Sequence, residues 1–259
     1  MINSIGCPKA YTDVFTLGNP KETVSIGVCM CKFSAKSFQY TDLGFLHKID
    51  VEDAIELVVK QAECIDSMCS KGGMIAVLHN FELYNSQPLL YKNSELISIN
   101  YKSHFVISAD MDAVPVIVDF LKSRDIIYQT LPVSYAFHSR CIDEAELIYK
   151  TVLRTKNIVR PSIKCISCVT GCIISEINQD YLWETIRSPI LFMNALKIAA
   201  EGRKCIFVDL GPSGTLANFA KNNLSVDLGH EIYSIITPFS QDKINYNKVL
   251  ERFKEGGIL

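Results

Sequence analysis

The chain lacks the features that define several large protein classes. No apolar run approaches the roughly 18 residues that a membrane-spanning helix needs, and residues 1–10 lack the basic and apolar regions of a secretory signal. With 26 basic and 28 acidic side chains, it has no positive surplus to neutralise a row of phosphates. We therefore expect neither a membrane protein nor a nucleic-acid-binding protein.

Ligand-binding patterns are also scarce. None of the five histidines pairs with another metal ligand at a typical spacing. The CxxC of Cys165 and Cys168 has no second CxxC, and in a strand its two thiols would point to opposite faces. The turn at 211–214 lacks the lysine of a phosphate loop, which favours a tight strand-to-helix turn over an anion site. We expect no metal, and structural thiols.

The cysteines indicate the cellular compartment in which the protein functions. All ten are scattered along a chain in which we find no secretory signal. This usage is typical of reduced thiols, because disulfides persist mainly in oxidising compartments. We therefore expect a cytoplasmic protein.

What is present is an ordinary globular mixture, with 48% hydrophobic and 21% charged residues. β-branched, apolar runs are typical of buried strands and occur at 24–33, 162–170, 205–210 and 232–238. Helical spacing of apolar residues occurs at 51–68, 142–153, 190–200 and 245–253. Helices between strands predict a parallel sheet covered on both faces.

Residues 73–133 carry a compact pattern of their own. Strand-like stretches at 74–78, 96–99, 104–108 and 126–133 surround a helical stretch at 112–121. Larger α/β material flanks this segment on both sides. We therefore predict that 73–133 is a small inserted domain and that 1–72 and 134–259 form one large domain.

Several motifs, which follow one another along the chain, indicate a protein family. They are the helix start at 51–54, the stretches 73–78, 99–100, 106–108, 131–139, 169–171 and 183–189, and the turn at 209–212. Together they resemble the acyltransferases of fatty-acid and polyketide synthesis, of the malonyl-CoA:acyl-carrier-protein transacylase type. The similarity spans about 51–240 and is nearest to stand-alone acyltransferase homologues of bacterial trans-acyltransferase polyketide clusters. Some of those homologues resemble acyl-carrier-protein thioester hydrolases.

The resemblance implies an α/β fold with two parts. One is an α/β-hydrolase-like domain with a parallel sheet, incomplete at its N-terminus, and the other is an inserted ferredoxin-like α+β subdomain. It also implies that an acyl group moves from a CoA or acyl-carrier-protein thioester, through a serine acyl-enzyme, to a carrier-protein thiol. No bound cofactor is needed; acyl-CoA or phosphopantetheinyl acyl carrier protein is the substrate. Acyl carrier protein is the expected partner, and a polyketide synthase complex is compatible with this role.

Site residues follow from the same resemblance. His138, in the segment 131–139, is the implied general base, and a backbone carbonyl near Thr185 is expected to orient its ring. Asn100 matches an asparagine that lies near the active site in this family. We expect Asn100 and Tyr135 to bind substrate.

The nucleophile departs from the family pattern. That pattern places the serine in a G-H-S-x-G elbow, but the segment 35–39 has neither glycine. Ser37 aligns with the nucleophile only across one deletion; without it Lys36 takes the position. The family's glutamine-glycine oxyanion motif and a first β-α stretch are not found. We predict Ser37 as nucleophile and the N–H of Phe38 as oxyanion donor. The alternatives are a truncated, inactive homologue that docks carrier protein, or half of a split enzyme.

A second departure concerns the acyl group. Malonyl-selective members carry an arginine on the helix after the elbow, which binds the free carboxylate. This chain has Gln61 there, and Lys60 lies about 100° away around the helix. An uncharged amide predicts a preference for uncharged acyl groups, and it favours a hydrolase of acyl-carrier-protein thioesters as the alternative activity. Otherwise Gln61 only packs in a site that no longer works.

Overall fold

The computed structural model describes the backbone of residues 12–19, 22–29, 51–156, 164–211 and 213–256. Within these ranges the strands form two sheets. The strands of the larger sheet are β1 (Thr12–Asn19), β2 (Glu22–Cys29), β7 (Lys164–Ile166), β8 (Ile173–Ile174), β9 (Cys205–Asp209) and β10 (Glu231–Ser234). Their order across the sheet is β10-β9-β2-β1-β7-β8.

The larger sheet is mixed, which corrects the expectation of a parallel sheet. Strands β2, β9 and β10 run parallel, but β1 pairs antiparallel with both β2 and β7. Only two residues separate β1 from β2, and a connection this short joins antiparallel neighbours, because parallel pairing needs a long crossover. Hydrophobic runs alone do not reveal strand direction.

The smaller sheet begins one residue before the segment 73–133 predicted as an insertion and otherwise lies within it. Its strands are β3 (Gly72–Val77), β4 (Glu95–Tyr101), β5 (His104–Asp110) and β6 (Tyr128–Thr130), ordered β4-β5-β3-β6 and antiparallel throughout. Its helices are α2 (Glu82–Ser86), α3 (Pro88–Asn93) and α4 (Ala113–Ser123). This β-α-β-β-α-β order and sheet arrangement are ferredoxin-like. Helices α2 and α3 went unpredicted because five or six residues are too few to show helical periodicity.

The remaining helices surround the larger sheet and one flank of the smaller sheet. They are α1 (Val51–Met68), α5 (Glu146–Leu153), α6 (Gln179–Arg187), α7 (Phe192–Ala200), α8 (Thr215–Asn223) and α9 (Asp242–Glu255). The limits of α1 confirm the prediction over 51–68. No helix in the described ranges is long and apolar enough to cross a membrane.

Two buried clusters hold the large elements together. The first packs α1 against α5 and α6, and its largest side chains include Leu57, Tyr149 and Trp183. The second packs α7 and α8 on β9 through Phe192, Phe207 and Phe219, among others. Full burial of each such side chain contributes about 1.5–3 kcal/mol. The first cluster also lies beside the segment that carries His138.

Candidate functional site

His138 lies on a segment that is tied to both the smaller sheet and α6. The Gly72 N–H donates to the Ser134 carbonyl at 3.0 Å, and the Ser108 hydroxyl donates to the Phe137 carbonyl at 2.5 Å. On the other side, the His138 N–H donates to the Ile186 carbonyl at 2.9 Å. The backbone around His138 is therefore fixed at the junction between these elements.

The ring of His138 has a defined orientation. His138 is fully buried, at 0% exposure. Its backbone φ of 63° lies in the left-handed region that few non-glycine residues adopt. The Nδ1 atom lies 2.8 Å from the Ser188 carbonyl oxygen. A carbonyl only accepts hydrogen bonds, so Nδ1 carries the proton and Nε2 is the basic nitrogen.

The carbonyl expected near Thr185 is that of Ser188, three residues further along the chain. Ser188 caps the C-terminus of α6 in an extended conformation, with φ −82° and ψ 154°. Its carbonyl therefore points away from the helical hydrogen-bond ladder and is available to a side chain. The sequence motif at 183–189 identifies the end of α6. Which carbonyl accepts from His138 depends on the residue at which the last turn of that helix ends.

Burial keeps the imidazole neutral. It lowers the pKa of His138 to about 3, because the charged form loses its hydration, and the nearby Arg187 charge acts in the same direction. The Ser188 carbonyl favours the charged form but does not outweigh burial. At physiological pH the ring is therefore a neutral imidazole with Nε2 able to accept a proton.

The predicted partners of this histidine are Ser37 and Phe38. Both lie outside the described residues. Their roles as nucleophile and oxyanion donor stay predictions.

Gln61 lies on the buried face of α1, one turn from Leu57 and from Ile65. It is 0% exposed, and within the described part of the chain neither Oε1 nor Nε2 has a hydrogen-bond partner. Leaving such a group unpaired costs about 1–3 kcal/mol. Lys60 instead points outward to Glu63, with Nζ 2.9 Å from Oε2, in agreement with the expectation that it does not substitute for an arginine.

Asn100 lies near the end of β4, beside a cavity of about 380 Å³ between the smaller sheet and α8. Its Oδ1 accepts from the Ser98 hydroxyl at 2.7 Å, and its Nδ2 lies 2.9 Å from His104 Nδ1. Sequence reasoning missed Ser98 and His104. The signal available was the i, i+2 spacing of Ser98 and Asn100, which places both on one face of a strand.

Tyr135 is 2% exposed, with its ring in the cluster below α1. Its hydroxyl donates to Asp66 and accepts from Lys71, and the Lys71 Nζ lies 4.2 Å from the ring centroid. These contacts join the end of α1 to the start of β3. Substrate binding by Tyr135 stays a prediction.

Asp209, at the end of β9, is hydrogen-bonded to the residues that follow it. Its carboxylate accepts from the N–H groups of Gly211 and Ala217, both at 2.9 Å, so the Gly211 amide of the predicted turn is used within the chain and β9 is tied to α8. Gly214 has φ 61°, and an added Cβ would lie 3.1 Å from Ser234 Cβ. Among the described residues, no group of three His, Cys, Asp or Glu side chains could hold a metal.

No family model matches the chain. It is 44% identical over 200 residues to the polyketide biosynthesis acyltransferase homolog PksD of Bacillus subtilis. It is 41% identical over 201 residues to the corresponding homolog BaeD of Bacillus velezensis. These alignments cover 77% and 78% of the chain but 62% of each relative, so the chain spans less than two thirds of their length.

Solved structures show the same fold at low identity. The malonyl-CoA:acyl-carrier-protein transacylase of Clostridium perfringens matches with a TM-score of 0.69 and 22% identity, covering 85% of the chain and 70% of that structure. The acyltransferase domain from the second module of the salinomycin polyketide synthase gives 0.70 and 20%, covering 83% and 51%. The arrangement of the two sheets is thus that of acyltransferase domains.

Proposed function

We propose that the chain belongs to the acyltransferase family that includes the malonyl-CoA:acyl-carrier-protein transacylases and that it is an acyltransferase of polyketide biosynthesis. It moves an acyl group from a CoA or acyl-carrier-protein thioester to a carrier-protein thiol. Acyl-CoA and acyl carrier protein are its partners, and the chemistry needs no bound cofactor. The ten scattered cysteines suit a reducing cytoplasmic setting.

The observation that carries this proposal is the protonation state of His138, a neutral imidazole with its proton on Nδ1. A serine hydroxyl is a weak nucleophile until a base takes its proton, and a neutral imidazole with a proton-accepting Nε2 supplies that base. The hydrogen bond from Nδ1 to Ser188 selects the required tautomer. A backbone carbonyl takes the place that a carboxylate occupies in a Ser-His-Asp triad.

In the first half-reaction, the Ser37 oxygen attacks the thioester carbonyl while its proton passes to His138 Nε2. The N–H of Phe38 donates to the developing oxyanion. When the intermediate collapses, the carbon–sulfur bond breaks and the leaving thiolate takes the proton back from His138. The products are a Ser37 ester and the free thiol of CoA or of the carrier.

In the second half-reaction, His138 takes the proton of the acceptor thiol, which attacks the ester carbonyl. Collapse returns the proton to the Ser37 oxygen and releases the new thioester. Water in place of the thiol gives a carboxylic acid. The same residues therefore support both transfer and hydrolysis, and the acceptor decides which occurs.

Gln61 supports a preference for uncharged acyl groups. A free malonyl carboxylate needs a cationic partner when it is buried, and an amide supplies none. Each lost charge-assisted hydrogen bond is worth about 1.5–3 kcal/mol, or roughly one to two decades of discrimination. The unpaired Gln61 amide suits a neutral acyl group such as acetyl. It also favours hydrolysis of uncharged acyl-carrier thioesters as the second candidate function.

The test uses intact mass spectrometry of the full chain after incubation with acetyl and malonyl thioesters of CoA and of carrier protein. We expect an acetyl adduct that forms faster than a malonyl adduct and is absent from Ser37→Ala. Transfer is read from acylated carrier, and hydrolysis from released acid.

Three results of this experiment would each reject a different part of the proposal. Folded protein that forms no adduct and consumes no thioester would reject both enzymatic functions and leave the carrier-docking alternative. A malonyl adduct that forms faster than the acetyl adduct would reject the role given to Gln61. An adduct that persists in Ser37→Ala would assign the nucleophile to another residue.

A further inference from the structure

Ser108 carries a buried hydroxyl that the proposed mechanism does not use. It lies in β5, is 1% exposed, and belongs to the sequence motif at 106–108. Its backbone pairs with Met74 of β3 on one side and with Glu95 of β4 on the other. A side chain on a strand with neighbours on both sides projects from a fixed position, so the Ser108 hydroxyl can hold a partner in one place.

The partner of this hydroxyl is the carbonyl oxygen of Phe137, the residue before His138. Ser108 Oγ lies 2.5 Å from that oxygen, and because a carbonyl only accepts hydrogen bonds, the hydroxyl donates. The bond joins the smaller sheet to the segment that carries the proposed general base.

The peptide group between Phe137 and His138 is held at both ends. The C=O and N–H of a trans peptide lie in one plane and point in opposite directions. Ser108 holds the C=O from the smaller sheet, and the Ile186 carbonyl, at the end of α6, accepts from the His138 N–H at 2.9 Å. The plane therefore cannot rotate without the loss of at least one of these two hydrogen bonds.

This peptide plane keeps His138 in an unfavourable backbone conformation. For an L-residue, the left-handed region that contains its φ of 63° is disfavoured about 5–30-fold relative to the right-handed one. Such a conformation persists only where the surrounding contacts enforce it. Rotation toward a negative φ turns the Cα–Cβ bond of His138, and the 2.8 Å contact of Nδ1 with the Ser188 carbonyl has little tolerance for that movement.

We propose that Ser108 is a positioning residue for His138: its hydroxyl holds the preceding peptide group so that Nδ1 meets the Ser188 carbonyl. This inference rests on the proposed function, in which His138 is the general base. Ser108 acts on the backbone, and its effect reaches the ring through the φ of His138. Loss of the hydroxyl should therefore change the tautomer of the ring and not only the stability of the fold.

Long-range ¹H–¹⁵N NMR of the full chain measures the tautomer, because it distinguishes a protonated ring nitrogen from a bare one. The His138 signal is the one that is missing from His138→Asn. We expect the proton to be confined to Nδ1 in the parent but not in Ser108→Ala, where the Ser188 carbonyl no longer selects the tautomer. Ser108→Thr keeps the hydroxyl and should keep the parent tautomer, even though its additional methyl group lowers stability.

Ser94→Ala is the matched control. Ser94 is 8% exposed, and its hydroxyl donates to the Leu90 carbonyl at 2.8 Å. The variant therefore loses a buried hydrogen bond of the same kind that involves neither Phe137 nor His138. It should lose stability as Ser108→Ala does, and it should keep the parent tautomer.

The rate of acetyl-adduct formation is the second readout. At saturating thioester we expect about tenfold slower formation in Ser108→Ala, the effect of one lost hydrogen bond, with an unchanged half-saturating concentration, whereas Ser94→Ala should match the parent. A parent that forms no adduct would reject the proposed function, and the tautomer would then decide this inference alone. Folded Ser108→Ala with the parent tautomer would overturn the inference. Should that variant not fold, Ser108→Cys, whose thiol donates only weakly, takes its place under the same criterion.

Discussion

Replacement of Gln61 by methionine should make the protein more stable and leave acetyl-adduct formation nearly unchanged. The side chain of Gln61 is wholly buried, and in the described structure both polar atoms of its amide are unpaired. Methionine has a similar length and flexibility but no group that needs a hydrogen bond. The substitution therefore removes a desolvation cost while it keeps most of the packing against α1's neighbours.

The magnitude follows from the two unpaired groups. At about 1–3 kcal/mol each they cost about 2–6 kcal/mol in the folded state, and imperfect fit of the new side chain takes back up to about 1.5 kcal/mol. We expect the free energy of unfolding to rise by about 0.5–6 kcal/mol. At about 2–4 °C per kcal/mol for a chain of this size, Tm rises by several degrees.

Urea denaturation followed by circular dichroism measures the stability, and acetyl-adduct formation measures the activity. We expect adduct formation to change little, because the only hydrogen-bonding atom of an acetyl group is its carbonyl oxygen, which the proposed mechanism assigns to the Phe38 N–H. Gln241→Met is the matched control, because Gln241 is exposed and its side chain makes no capping bond; its stability should not change by more than about 0.5 kcal/mol. Unchanged or lower stability of Gln61→Met would refute the reasoning, because the amide would then be satisfied in solution.

The remaining predictions concern three residues. His138→Asn, which tolerates a positive φ and can still donate to Ser188, should fold and yet form acyl adducts at least 100-fold more slowly; normal rates would exclude His138 as the base. Between pH 7.5 and 5 the unfolded imidazole gains a proton that the buried one, with its pKa near 3, does not, so stability should fall by about 2 kcal/mol on acidification. His138→Asn should lose that part of the pH dependence, and an identical pH profile would contradict it. Gln61→Arg should reverse the order of malonyl and acetyl adduct rates, as read by mass spectrometry, and an unchanged order would contradict the role given to Gln61. Asp209→Asn should lower the free energy of unfolding by about 1–3 kcal/mol, since one of its two buried N–H contacts loses its acceptor; an unchanged denaturation midpoint would contradict this.

Local patterns were sufficient for much of the fold. The helical spacing of apolar residues predicted α1 with its limits, because periodicity over 18 residues is unambiguous. The alternation of short strands and a helix predicted a separate small sheet, and the helical step of about 100° predicted that Lys60 does not take the place of Gln61, in agreement with its ion pair with Glu63. These features depend on residues that are neighbours in the chain, and so the chain itself encodes them.

Other features depend on partners far apart in sequence. The antiparallel pairing of β1 with β7, the Ser188 carbonyl as the anchor of His138, and the packing of the His104 ring on Phe219 were decided only in the folded molecule. The sequence by itself determined which chemical groups are present: a neutral amide in place of an arginine, and a histidine before a helix. Only the tertiary structure decided their protonation and partners, because a ring's tautomer and pKa depend on which carbonyl packs against it and how completely water is excluded.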